Sequence, residues 1–295
     1  MAAALDLDLP EAPFETRGDL QDPATPLVFA SPHSGRVYPE ELLAASRLDA
    51  LSIRRSEDAF VDRLIEAGFA RGASGVVCRM ARVWVDVNRD PWELDPTMFD
   101  APLPAFARSQ TARVAAGLGS IARLVGEGQE IYLRKLNVSE AEARIERVHK
   151  PYHRALSEMI EAARVKFGVA VLVDWHSMPS AAGRHEAKRG RGSPDMVLGD
   201  RFGAACSREL TQTVKRLLES QGYIVALNAP YAGGYTTQLY GRPETGVHAL
   251  QIELDRALYL DEAALQPTTG FERLQRRLGQ LIEALITIDW SAVLR

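Results

Sequence analysis

Apolar and polar positions alternate in blocks along the chain, and the block lengths separate strands from helices. LVFA (27–30) and VAVLVD (169–174) are unbroken apolar runs, the pattern of strands buried on both faces of a parallel or mixed sheet. GVVCRMARVWVDVNR (75–89) is rich in β-branched residues and reads as two strands or one long bent one. Further strands are expected at 223–227 and 247–254. Ser56 is a good N-cap for a helix that puts Phe60, Val61, Leu64, Ile65 and Gly68 on one side. Over 140–167, Ala141, Ile145, Val148, Tyr152, Leu156, Met159 and Ala163 recur every three or four residues, a long helix with Pro151 as its expected kink. Helices near 201–221 and 270–286 complete the pattern. The alternation predicts one α/β domain over 26–295, with a central mixed, largely parallel sheet flanked by helices. Residues 1–25, acidic and punctuated by proline, read as an extended lead-in.

Composition narrows the class. With 295 residues, 46% hydrophobic, 25% charged and a net charge of −4, the chain is a globular protein without the basic excess a nucleic-acid partner requires. The two cysteines, Cys78 and Cys206, supply neither a disulfide framework nor a cysteine-rich metal knuckle. The opening MAAALDLDLPEAP has no basic start, and no later apolar run reaches membrane-spanning length. The expected location is therefore the cytoplasm, with no membrane partner.

Two of the six histidines share one setting. His33 follows LVFASP and His176 follows VLVDW, so each stands at the carboxyl edge of a sheet, where α/β proteins place their ligands. A catalytic metal site takes three nitrogen or oxygen ligands and keeps a position for water. The acidic pair Glu57–Asp58 offers a third ligand, while acids at a helix start also serve its dipole, and spacing alone weighs the two roles equally. His149 and His153 lie four apart, yet Lys150 stands where a zincin motif needs glutamate, which speaks against a metal role. In GVHALQIELD, strand parity puts Gln251 and Glu253 on one face and His248 on the other with Leu250, Ile252 and Leu254. A glutamate in an apolar strand is costly unless paired or functional, so Glu253 is the candidate general base, with a salt bridge to a buried arginine as its structural alternative. Parity in 82–89 groups Arg82, Asp86 and Asn88, and Arg89 ends the run; arginine beside asparagine can grip a carboxylate, and an internal Asp86–arginine pair is the alternative. AGGYTTQLYG (232–241) is either a substrate-contacting hairpin, with Thr237 as the contact, or a plain turn. MPSAAGRHEAKRGRGSPD (178–195) is a long loop and a possible lid.

The motifs SPHSG, SEDAFVD, RVWVDVNR, DPWELDPTMF, PYH, VDWHSMPS, DMVLGDRFG, NAPYAGGYTT, YGRP and GVHALQIELDRALY together resemble the N-formylglutamate amidohydrolases, in the same order from about residue 26 to 262. The resemblance implies a metal-dependent amidase that releases formate from N-formyl-L-glutamate, in some organisms the last step of histidine breakdown. It also implies a fold similar to the zinc carboxypeptidases and aspartoacylases, and one Zn²⁺ per chain. On this reading His33 and His176 are metal ligands with Asp58, or Glu57 in its place, as the third. The carboxypeptidase glutamate three positions after the first histidine is absent, since Arg36 stands there. Glu253 resembles the catalytic glutamate, Arg82 the oxyanion-stabilising arginine, and Asn88 with Arg89 the pair that holds the substrate's α-carboxylate. A second cation for the substrate's side-chain carboxylate is Arg184 or Arg242, between which the sequence does not choose. Asp174 shares strand parity with His176 and is expected to orient it. A related amidase for another N-acyl amino acid, or a non-catalytic binder of acidic amino acids, would use part of the same set.

Overall fold

The computed structural model of the chain describes residues 12–126, 128–188 and 193–294, apart from the side chains of 185–188. They divide into two compact units, one taking up residues 12–15, 32–57 and 78–154, the other 16–31, 58–77 and 155–294.

The second unit is built on a seven-stranded sheet. Its strands are β1 (Phe14–Arg17), β2 (Leu27–Ser31), β3 (Ser74–Cys78), β4 (Ala170–Met178), β5 (Met196–Gly199), β6 (Val225–Leu227) and β7 (Val247–Asp255). Their order is β1-β3-β2-β4-β7-β5-β6. β3, β2, β4 and β7 run parallel in sequence of neighbours, β5 lies antiparallel to β7, and β6 parallel to β5. This is the expected α/β fold with a mixed, mostly parallel sheet. β2, β4 and β7 are buried along their whole length, which is why their apolar runs are unbroken.

Helices α1 (Val61–Leu64), α2 (Glu66–Ala70), α3 (Arg208–Ser220) and α4 (Gly270–Thr287) belong to the same unit. Phe29 meets Phe69 and Trp175 edge to face, with ring centroids 5.7 and 5.6 Å apart. Leu64, Ile65, Leu210, Val214, Leu278 and Ile282 join the same buried cluster. Cys206 and Cys78 are both buried free thiols, and burial pushes each pKa up to about 12, as for small apolar residues.

Several expectations change here. The helix expected from Ser56 begins only at Val61, after Phe60 turns the chain in the left-handed region at φ 63°. Glu57 and Asp58 therefore precede the helix, and their side chains are buried. In the first unit, residues 79–89 are irregular although Val83, Val85 and Val87 alternate and are buried. The amide of Trp84 turns back to the Ala81 carbonyl and that of Arg89 to Asp86, so no strand continues past Cys78. Residues 235–240 form a helix rather than a hairpin. The 178–195 segment holds a helix at Ser180–Lys188, and residues 189–192 lie outside the described residues, as do 1–11 of the lead-in. The long helix runs as Val138–Arg144, a π turn at Ile145–His149, and Lys150–Phe167. The ladder opens just ahead of Pro151, which has no N–H to donate.

Candidate functional site

In the second unit the site is written into strand register. β4 carries Asp174 and His176, β7 carries Gln251 and Glu253, and the pairing sets Asp174 beside Gln251 and His176 beside Glu253. The Gln251 amide donates to Glu253 Oε1 at 2.8 Å and accepts the Gly234 N–H at 2.8 Å, so it ties the base candidate to the loop before 235–240. His248 points to the opposite face and accepts the Ser207 amide, as parity requires.

His176 lies between two carboxylates, with Nδ1 3.0 Å from Asp58 Oδ2 and Nε2 3.1 Å from Asp174 Oδ2. Burial alone would lower its pKa, but Asp174, Asp58 and Glu253 outweigh that and hold it well above the ordinary value. Asp58 also accepts from Arg256 Nη2 at 3.0 Å, and Arg256 Nε bonds Ser177 Oγ at 3.2 Å. If Nε2–H is given to Asp174, Nδ1 presents its lone pair to a carboxylate oxygen. Two acceptors so placed are held together by a proton or by a metal cation, and the donor set fits either.

In the first unit, His33 Nε2 is 2.7 Å from Asp86 Oδ1, and Arg82 Nη2 donates to Asp86 Oδ2 at 2.7 Å. Asp86 Oδ1 also takes the Asn88 amide at 2.9 Å. Burial would raise the Asp86 pKa, but His33, Arg82 and Arg89 hold it well below the carboxylate range. A histidine that donates through Nε2 keeps Nδ1 as its lone-pair nitrogen, the arrangement that metal-ligating histidines adopt. Arg89 donates to the carbonyls of Leu118 and Asn88, and burial lowers its pKa while Asp86 opposes this. Glu57 accepts from Tyr38 Oη at 2.6 Å and from Arg54 Nε and Nη2 at 2.8 and 3.1 Å.

Asp58 and His176 in the second unit and His33 in the first are all buried, and each offers a nitrogen or carboxylate oxygen of the kind a metal ion takes. An N₂O set suits zinc and other first-row divalent metals alike.

The sequence profile of the N-formylglutamate amidohydrolases matches residues 25–260. The chain belongs to this family. It is 30% identical to the N-formylglutamate deformylase of Pseudomonas putida over 90% of its length and 94% of that protein. It is 31% identical to the deformylase of Pseudomonas aeruginosa over 81% of its length and 84% of that protein. The crystal structure of the N-formylglutamate amidohydrolase of Ralstonia eutropha is similar in fold, with a TM-score of 0.86 and 36% identity over 94% of this chain and 98% of that one.

The family's motifs account for most of the buried polar residues described above, but two partners escaped sequence reasoning. Arg256, in the DRALY stretch, reaches Asp58 across 198 positions of sequence, and Asp86 reaches His33 across 53. A charged residue directly after an apolar strand was the available signal for Arg256. Glu253 accepts from the Gln251 side chain, and the buried arginine of this region, Arg256, donates to Asp58. Thr237 is fully buried and donates to the Gly234 carbonyl. Arg242, just past the 235–240 helix, donates to the carbonyls of Gln238 and Gly241 at that helix's end. Arg184 is exposed and donates to Ser180 Oγ at 2.9 Å. Among the described residues no helix is long and apolar enough to cross a membrane.

Proposed function

We propose that the chain hydrolyses the formamide bond of N-formyl-L-glutamate to formate and L-glutamate, with one Zn²⁺ held by His33, Asp58 and His176. The observation that carries the reading is the pairing of His176 with Glu253 on adjacent parallel strands, with Asp58 on the imidazole. Connectivity supports the first ligand. β2 pairs in parallel with β4, and His33 follows the last residue of β2 by two positions, a span of about 7 Å at most. A zinc ion so bound would lower the pKa of a coordinated water and polarise the formyl oxygen.

Glu253 takes the proton from the attacking water and returns it to the leaving amine. Arg82, fixed on Asp86, faces the negative charge that develops on the formyl oxygen, an effect worth a few kcal/mol in comparable sites. Asn88 and Arg89 hold the α-carboxylate, and Asp174 and Asp86 orient the two imidazoles. For the side-chain carboxylate Arg184 is the better of the two cations, because its helix starts two residues after β4 ends and Arg242 already serves the carbonyls that end the 235–240 helix. Thr237, expected to contact substrate, is fully buried on the Gly234 carbonyl and in this scheme braces that loop from within. Glu57, engaged by Arg54 and Tyr38, is structural in this scheme. The reaction belongs to cytoplasmic histidine breakdown.

The test is formate release from N-formyl-L-glutamate by purified protein, before and after chelation and with zinc restored. N-acetyl-L-glutamate and N-formyl-L-aspartate run alongside as substrates. Activity confined to the first substrate and restored by zinc supports the assignment. Faster turnover of the acetyl or aspartyl compound would move the protein to another N-acyl amino acid, and activity unchanged by chelation would remove the metal.

A further inference from the structure

The histidine pair on the long helix has a use that the metal-site reading does not assign. His149 closes the π turn and His153 lies one helical turn on, with ring centroids 4.6 Å apart. His149 Nε2 is 2.8 Å from the Arg89 carbonyl, and His153 Nε2 is 2.7 Å from the Val87 carbonyl. A carbonyl can only accept, so in both rings Nε2 carries the proton. The two bonds bracket Asn88, whose backbone N–H donates to Asp86 Oδ1. Both imidazoles are buried, and burial pushes the His153 pKa down to about 3 and the His149 pKa in the same direction. Neutral rings keep their donors without adding positive charge beside Arg89. The π turn is a second pointer, since the wider helical turn at Ile145–His149 ends on His149 itself, and such turns recur at functional sites.

We propose that His149 and His153 are positioning residues that fix the Val87–Arg89 turn, so that the Asn88 side-chain amide and the Arg89 guanidinium are presented together to the substrate's α-carboxylate. This rests on the carboxylate role of Asn88 and Arg89 given above. A three-residue irregular turn has many conformations open to it. Two buried hydrogen bonds to the carbonyls flanking Asn88 remove most of them before substrate arrives, and the binding free energy is then not spent on ordering the turn.

The experiment uses the metal-loaded enzyme with N-formyl-L-glutamate and its α-amide, which lacks the α-carboxylate charge. His149→Leu and His153→Leu remove the donors; His149→Gln and His153→Gln keep an amide N–H at the Nε2 position. The leucine variants should raise KM for N-formyl-L-glutamate about tenfold each with kcat changed much less, as the loss of one buried hydrogen bond predicts. The glutamine variants should recover most of the loss. The preference of wild type for the free acid over the α-amide should shrink in the leucine variants, which a general loss of stability would not cause. Calorimetric binding of the product L-glutamate should weaken in parallel, a readout independent of turnover. Leucine variants that keep the full preference for the free acid would overturn the proposal, as would glutamine variants no better than leucine. Arg89→Ala separates the two levels: if it leaves KM unchanged, the carboxylate role falls and the inference with it. If it raises KM while the histidine variants do not, only the inference falls.

Discussion

His176 and Glu253 are cross-strand neighbours, paired in register on two parallel strands that are buried from end to end. Backbone hydrogen bonding fixes the relation between a candidate metal ligand and a candidate base, so neither depends on a loop. The Glu253→Gln variant keeps the volume and can still accept from Gln251. It should therefore fold and keep its metal while losing about 10²–10⁴ in kcat, the usual worth of a general base. Metal content by elemental analysis and formate release would be measured on one preparation. Full activity in a metal-replete variant would end the assignment.

Glu57 and Asp58 are adjacent in sequence and differ in their partners. Asp58 is shared by His176 and Arg256, whereas Glu57 is held by Tyr38 and Arg54. Asp58→Asn should lose most of the bound metal. Glu57→Gln should retain the metal and lose stability, by about 1–2 kcal/mol given that Arg54 is 30% exposed and the pair partly screened. Equilibrium dialysis against zinc and urea unfolding give the two readouts, and the reverse pattern would exchange the two roles.

What could be read from the sequence followed period-two alternation and apolar runs. β2, β4 and β7 lie where the runs are, and the shared faces of Asp174 with His176 and of Gln251 with Glu253 follow from parity. The same rule failed at 79–89. Val83, Val85 and Val87 alternate and are buried as in a strand, but the Asp86 carboxylate takes the Asn88 amide and folds the chain into a turn. Periodicity records burial, and a buried loop has the same signature. The partners Arg256 and Asp86 were hidden for a different reason: their pairings are tertiary, and no local pattern encodes them.

Gly68 offers a test of packing. It lies on α2, where alanine would gain about 1 kcal/mol of helix propensity. An added Cβ would overlap Cε2 of Phe29, a ring already fixed between Phe69 and Trp175. Overpacking of this kind costs about 1–3 kcal/mol, so Gly68→Ala should be net destabilising. A raised melting temperature would show that the Phe29 ring has room to move.

His153 gives the pH dependence of stability a definite sign. Burial lowers its pKa from 6.5 to about 3, so between those values the unfolded chain carries a proton on this ring that the folded chain does not. Its contribution is complete above pH 6.5 and declines as the pH falls, by about 1.4 kcal/mol per pH unit. Between pH 7 and pH 4.5 this ring alone should remove about 2–3 kcal/mol of unfolding free energy. The Asp86 carboxylate, whose pKa is held low, weakens the fold only at still lower pH, so the two effects separate. In His153→Gln the absolute stability should be lower at pH 7 and the decline toward pH 4.5 correspondingly shallower. Urea unfolding of both proteins at the two pH values decides it: parallel declines would mean that the buried ring takes up its proton without unfolding.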